Sequence, residues 1–474
     1  MELQLEQQQI SCLIPCVNRT VEERFSADFV VPDSMPDAAE LLLTEGDLCI
    51  WRLDLSDGNA ELEGEISARI CFTDDNGSPE SFPASVPVQL RVRDEAMQPG
   101  QRPFLRCRVK SMNAHLLNSR KVRVQCAVQC ALLTYGASEI DVTTGIDAAA
   151  EQGIYEKKTQ MRLPYISAVE EQVFTTEEKL PLQRGVPWSG RLLSYASAAR
   201  IDQYECGDCR VTVKGRVCTT LLYQNADGLE LISETLETPF SGFLDIGDAV
   251  SSCRLSVHLT SEEVRCCNDD PAAETAFHLL VQAVCSSARD VEVVADAYCN
   301  QATLTLDWKD RSFPELTQYE AEQSAAEGEI PCELTGKTVC AVRASCQGDH
   351  IGVALLLRDA DRKLSSLNTA LKTEYVADWL DQPSFRIGAN ALQLRVPFGF
   401  RRESETLIPF HNLSSAELGE QTANPISGIS LVRRKENADL WELAKANRSS
   451  VSSIQSANPD SDRERKWLVI PHVS

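Results

Sequence analysis

Apolar and polar residues alternate along most of this chain with a period of two. In VRVQCAVQCALL, Cys126, Val128 and Cys130 share one face of an extended strand. The same alternation carries Leu62, Ile66 and Ile70, and again Val213, Val217 and Leu221. Each of these two strands runs into a turn signature, Asp74-Asp75-Asn76-Gly77 and Asn225-Ala226-Asp227-Gly228. Asn and Gly there supply the positive φ of a tight hairpin. Return strands follow, as far as Pro87 and Pro239. Further alternating segments lie around Cys107-Arg108-Val109 and Cys253-Arg254-Leu255, then in VRVQCAVQCALL and FHLLVQAVCSSA. Short strands with turn signals throughout predict a mainly β chain built from sandwich-like or barrel-like modules of about 150 residues.

The pattern repeats. Pro36 matches Pro187, Leu41 matches Leu192, Leu42 matches Leu193 and Ile50 matches Ile201, each pair 151 residues apart (187 − 36, 192 − 41, 193 − 42, 201 − 50). Gly64 with Gly215 and Gly77 with Gly228 keep the same offset. A third echo, IGVALLLRDADRKLSSLNTALKTEYV from Ile351, has the strand, polar turn and return, but no glycine in the turn. Polar stretches suggest the boundaries: EKKTQ and VEEQVFTTEEK around 155–175, the helix-leaning PELTQYEAEQSAAEGE around 314–328, and LSSAELGEQTANPISG at 413–428 as a last linker. The expected modules are residues 1–155, 165–312, a partial or diverged third at 329–412, and a terminal unit at 428–474.

The terminal unit changes period. ISLVR and KWLVIP read as short strands. Between them Asp439 can cap a helix carrying Leu440, Leu443 and Ala444, and Ser449 or Ser450 can cap a second with Val451, Ile454 and Ala457. Asn458-Pro459 ends it. Strand, helix, helix, strand is expected, with Trp441 and Trp467 in its core.

Charge narrows the function classes. Seventy acidic against 46 basic residues give a net charge of −24, which disfavours nucleic acid and anionic membrane surfaces as partners. No run approaches the ~18 apolar residues of a membrane span, and MELQLEQQQI lacks the cationic start and apolar core of a secretory signal. A cytosolic protein is expected, with its 18 cysteines reduced and packing as small hydrophobes. Cys206 and Cys209 form the one C-x-x-C, but no second ligand pair follows at finger spacing, so a turn is expected rather than a metal site.

Catalytic constellations are missing. LTGKTV at 334–339 imitates the end of a phosphate loop, yet Pro331 stands where the loop needs its first glycine. The histidines, at 115, 258, 278, 350, 411 and 472, form no H-E-x-x-H pair, and no G-x-S-x-G elbow exists. No enzyme, cofactor or metal is expected.

The duplicated segments resemble the SPOCS domain of spore-coat proteins from endospore-forming bacteria. The carrying residues are VVPDSMPDAAELLL and ELEGEISARICF in the first copy, and VTVKGRVCTTLLY and LETPFSGFLDI in the second, over most of residues 25–310. Residues 429–473 resemble a LysM domain through Leu440, Trp441, Leu443, Ala444, Val451, Ile454, Asn458, Pro459, Leu468, Ile470 and Pro471. The fold class implied is mainly β, tandem SPOCS modules followed by a small βααβ LysM-like domain. That layout is similar to spore-coat morphogenetic proteins. It implies a non-enzymatic scaffold in the mother-cell cytoplasm at the forespore surface, whose LysM-like domain docks the ATPase of the coat's basement layer while the modules meet other coat proteins. The family's groove maps to Asn437, Ala438, Asp439, Leu440, Ala457, Asn458 and Pro459. Asn437-Ala438-Asp439 stands where the family has Gly-Asp-Thr, and Arg-Glu-Arg-Lys replaces Pro-Gly-Gln before the last strand. These changes erode the N-acetylglucosamine loops and favour a protein partner. The alternative is a peptidoglycan-binding protein of the spore cortex or wall.

Overall fold

The computed structural model describes residues 1–147, 149, 151–182, 191–225, 230–267, 270–316, 320–331, 336–388, 391–402, 405–421, 428–433, 439–459 and 467–472. It is mainly β, and one strand arrangement occurs three times. The first unit opens with the long strand β1 (Leu5–Val30). A meander follows, β2 (Glu40–Ser56), β3 (Asn59–Thr73) and β4 (Pro79–Arg93), then a hairpin, β5 (Arg102–Asn118) and β6 (Lys121–Ile146). The second has β7 (Ile154–Pro181), the meander β8 (Arg191–Cys206), β9 (Arg210–Gln224) and β10 (Leu231–Asp245), and the hairpin β11 (Ser252–Cys266) and β12 (Ala272–Cys299). The third divides its opening strand into β13 (Ala302–Leu316) and β14 (Glu320–Pro331). Its meander is β15 (Thr338–Gln347), β16 (His350–Arg358) and β17 (Leu364–Lys372). The short β18 (Trp379–Leu380) and β19 (Ser384–Ile387) precede a closing strand divided into β20 (Ala391–Arg402) and β21 (Glu405–Gln421). In each unit the opening and closing strands pair antiparallel: β1 with β6, β7 with β12, β13 with β21 and β14 with β20.

Several polar stretches that suggested boundaries are strands. EKKTQ and VEEQVFTTEEK lie inside β7, the described parts of PELTQYEAEQSAAEGE are the end of β13 and most of β14, and LSSAELGEQ is the end of β21 rather than a linker. Alternation, reset by a bulge between Leu413 and Ser415, explains this. Leu413 and Ala416 are buried in β21 while neighbouring Ser414 and Glu417 face out, so a Ser- and Glu-rich string still presents one apolar face.

The alternating residues read from the sequence are the unit cores. Leu62, Ile66 and Ile70 are buried in the first, Val213, Val217 and Leu221 in the second. The turn after β3 forms at Asp74–Ser78, with Gly77 at φ 81°. The third unit makes the same turn without glycine: Arg362 takes φ 67°, and Asp359 accepts from the Arg362 and Lys363 amides as Asp74 does from Gly77 and Ser78. The repeated Gly64 and Gly215 serve close approach, since a Cβ would lie 2.3 Å from the Cys49 carbonyl oxygen or 2.2 Å from that of Arg200.

Several shared cores join the units, two of them as follows. Opening and closing strands of every unit contribute to one, with Ile10 and Cys12 of β1, Ile140 and Val142 of β6, Leu163 of β7, Val291 and Val293 of β12, Phe313 of β13 and Phe410 of β21. The three meanders build the other, with Leu42 and Cys71, Leu193, Leu222 and Leu231, and Ala341, Leu356 and Leu364. Each meander carries the same bulge, at Leu42, Leu193 and Cys340. Three residues past each bulge stand Glu45, Ala196 and Arg343, and Glu45 and Arg343 form a buried ion pair at 2.6 Å. The first two units also share a nine-stranded sheet through the contacts Cys49↔Leu259 and Leu13↔Ile166.

Candidate functional site

After these units the period changes as expected. β22 (Ile429–Arg433) and β23 (Trp467–Pro471) pair antiparallel and flank α1 (Leu440–Ala446) and α2 (Val451–Ala457). Both caps are as the sequence suggests: Asp439 accepts from the Trp441 amide at 3.0 Å, and Ser450 from the Ser453 amide at 3.0 Å. Trp441, Ala444, Ile454 and Ile470 form the core.

Among the seven groove positions, Asn437 and Ala438 lie outside the described residues. Leu440 packs against the core, Ala457 is half-buried and Pro459 is exposed. Asn458 is buried and stitches α2 to β23. Its Nδ2 donates to Ile454 O and Val469 O, each at 2.7 Å, and its Oδ1 accepts from the Val469 amide at 3.0 Å. Its side chain stands in for a strand backbone, which is reason enough for an asparagine there. Asp439 forms a 2.8 Å ion pair with Lys157 of β7. That hydrogen bond, with the one from the Trp441 amide, holds the Asp439 carboxyl below the usual carboxylate range.

The Lys157 contact belongs to a larger platform. In β7 and β12, Tyr155 lies opposite Tyr298 and Lys157 opposite Asp296, so these two cross-strand pairs project together toward α1. Tyr155 and Tyr298 stack with centroids 5.3 Å apart, and Tyr298 meets Trp441 edge-on at 4.9 Å. The Tyr298 hydroxyl donates to Ser449 O at 2.6 Å. Burial pushes that hydroxyl's pKa up to about 12. Asp296 accepts from Trp441 Nε1 and Lys445 Nζ, both at 2.8 Å. Burial works against its charge, but these donors prevail and hold its carboxyl below the ordinary value. The helical side of the terminal unit is thereby closed against the second β unit. Sequence reading missed this platform because Asp296 and Trp441 are separated by 145 residues.

The opposite side is open. Ile429, Leu431 and Arg433 share one face of β22, opposite Pro471, Val469 and Trp467 of β23. Ile429 is 72% exposed, Leu431 66% and Trp467 57%. Trp467 was expected in the core. Alternation along β23 instead gives the inner positions to Leu468 and Ile470, exposed 1% and 0%, and turns the indole outward. An exposed apolar face of this size is the feature here that most needs a partner.

Elsewhere the chemistry is sparse. Cys206 and Cys209 belong to the β8–β9 turn, where the Gly207 amide donates to Arg210 O at 2.8 Å. Among the described residues, no three His, Cys, Asp or Glu side chains gather closely enough to hold a metal ion. No helix among them is long and apolar enough to cross a membrane. No protein-family model, no curated protein and no solved structure matches this chain.

Proposed function

We propose that this chain is a non-enzymatic scaffold of endospore coat or envelope assembly that docks the ATPase of the coat's basement layer through its terminal LysM-like unit. The observation that carries the reading is the open face of Ile429, Leu431 and Trp467 on β22 and β23. Large apolar side chains at such exposure become anchors when a partner covers them, each contributing about 1.5–3 kcal/mol. The SPOCS-like order of strands, recurring at constant spacing, supports placing the protein in the mother-cell cytoplasm at the forespore surface. The β units then act as the body that meets other coat proteins. The peptidoglycan reading has less behind it, because Asp439 is committed to Lys157 and Asn458 to backbone groups.

The test is capture of the coat ATPase from sporulating cells by the full chain. Leu431→Glu and Trp467→Ser should each reduce capture at least about tenfold and leave thermal unfolding unchanged, since both side chains are exposed. Capture that survives both substitutions rejects the docking face. Saturable peptidoglycan binding by the unaltered chain, without ATPase capture, moves the assignment to the cortex or wall.

A further inference from the structure

The C-x-x-C at the β8–β9 turn holds chemistry that the docking face does not use. Cys206 ends β8, Cys209 lies in the turn, and Cys253 stands at the start of β11. Cys206 Sγ and Cys253 Sγ are 3.9 Å apart. Within the motif only Cys206 meets the core: it is half-buried and packs against the apolar cluster of the second unit, whereas Cys209 is exposed. Cys253 belongs to that cluster and is 1% exposed.

Backbone hydrogen bonds keep the two sulfurs near each other. The Gly207 amide donates to Arg210 O at 2.8 Å and closes the turn. The Ile246 amide donates to Cys209 O at 2.9 Å and the Val250 amide to Gly207 O at 3.4 Å, so the segment between β10 and β11 grips the turn at two points. The meander β8–β10 is a three-stranded sheet of its own, while β11 belongs to the nine-stranded sheet. Cys206 and Cys253 therefore meet across the core between two sheets.

Their surroundings give the two thiols different roles. The hydrogen bond from Cys253 favours the Cys206 thiolate and, against burial, lowers its pKa. The same contact, with burial, raises that of Cys253. A half-buried thiol with a lowered pKa is the nucleophile, and a buried neighbour within reach resolves what it forms. Cys107 and Cys130 lie closer, at 2.7 Å. Burial pushes the Cys107 thiol well up, however, and Cys130 is 1% exposed, which leaves that pair without a nucleophile near pH 7.

We propose that Cys206 and Cys253 are a peroxide-oxidisable dithiol that closes to a disulfide across the core of the second unit. The Cys206 thiolate attacks hydrogen peroxide: a sulfur–oxygen bond forms, the oxygen–oxygen bond breaks, and the departing hydroxide takes up a proton to become water. The Cys253 sulfur then attacks the Cys206 sulfenic acid. A sulfur–sulfur bond forms, the sulfur–oxygen bond breaks, and hydroxide leaves with the Cys253 proton as a second water. Two thiols lose two electrons in all, and one peroxide is reduced to two waters. Side-chain rotation takes the sulfurs from 3.9 Å to the ~2.05 Å of a disulfide. The bond ties the meander to the nine-stranded sheet and joins residues 47 apart (253 − 206), which constrains the unfolded chain. This chemistry stands apart from the docking face and does not depend on the identity of a coat partner.

The experiment is titration of the full, reduced chain with hydrogen peroxide, followed by iodoacetamide alkylation, proteolysis without reductant and mass spectrometry. A Cys206–Cys253 linked peptide is expected ahead of any other, reversed by dithiothreitol, with a rise in unfolding temperature of at least about 2 °C. Before oxidation, Cys206 should alkylate at least about tenfold faster than Cys253. Cys253→Ala should leave Cys206 as a sulfenic acid that dimedone traps, while Cys209→Ser should leave the linkage unchanged. A Cys206–Cys209 or Cys107–Cys130 bond forming first overturns the proposal, and so does a Cys206 that stays a thiol under peroxide.

Discussion

Replacing Arg343 by methionine tests the joint of the three units. Arg343 comes from the third unit and is 2% exposed. Its Nε and Nη2 donate to Glu45 of the first unit at 3.0 and 2.6 Å, and its Nη2 and Nη1 donate to Thr220 O and Leu221 O of the second at 2.9 and 3.1 Å. Glu45 also accepts from Ser194 Oγ of the second unit at 2.8 Å. Methionine fills comparable volume but leaves a buried carboxylate with one hydroxyl donor and two carbonyls without their donor. Removing one partner of a buried pair costs about 3–5 kcal/mol, a large share of a typical stability of about 5–15 kcal/mol. The double variant Glu45→Leu with Arg343→Met removes both charges and should recover most of the loss, giving a coupling of about 2–3 kcal/mol. Urea unfolding followed by tryptophan fluorescence measures the four corners of the cycle. Amide exchange at Thr219–Tyr223 should rise in Arg343→Met if the strain is local to the joint. A single-variant cost below about 1 kcal/mol, or a double variant as unstable as the sum of the singles, would refute the reasoning.

Two further outcomes follow from contacts elsewhere. The Glu262 carboxylate is buried near Ser67, Ser197 and Asp47, and burial pushes its pKa up to about 7. A raised carboxyl favours the folded state while it is protonated. That contribution is complete below the unfolded value near 4.5 and is lost as pH rises through 7. Glu262→Gln should therefore stabilise the chain at pH 8 by up to about 3 kcal/mol, with little gain at pH 4. Equal effects at both pH values in chemical denaturation count against it. Tyr298→Ala removes the ring that Trp441 and Tyr155 share and the bond to Ser449 O, so amide exchange in Leu440–Ala446 should quicken at least about tenfold with the β units unaffected. Unchanged protection in that helix would show that the platform does not hold the terminal unit.

How much of this was legible depends on the range of the interaction. Period-two alternation placed Leu62, Ile66 and Ile70 in a core because each strand carries its own face. The helix caps at Asp439 and Ser450 were legible because a cap and its amide lie two or three residues apart. The constant 151-residue offset located Leu42 and Leu193, but not their use as bulge residues aimed at a core between units. Composition misled where a strand covers the outside of the body. VEEQVFTTEEK has only Val169 and Phe174 buried, yet its backbone pairs with β12 throughout. Trp467 was read by residue type, whereas its place on β23 is set by parity with Leu468 and Ile470. The Tyr155–Tyr298 platform and the Glu45–Arg343 joint bring together residues far apart in the chain, and no local pattern encodes such a meeting.

The joint also bears on how three similar units settle in one order. Their equivalent positions after the bulge hold Glu45, Ala196 and Arg343, of which Glu45 and Arg343 meet in one buried pair. Three copies of Glu would crowd three carboxylates into one buried junction, and three of Arg would do the same with guanidinium groups; either costs several kcal/mol per unmatched ion. One of each, with a small third residue, is neutral and leaves room for Arg343 to reach the Thr220 and Leu221 carbonyls. Exchanging the second and third units would direct Arg343 toward a different neighbour and strand those carbonyls. The shared apolar cores discriminate less, since Leu42 and Leu193 are alike and fully buried and only the smaller, half-buried Cys340 differs. Apolar burial therefore supplies most of the cohesion, while a single buried charge pair distinguishes the correct closure from its permutations.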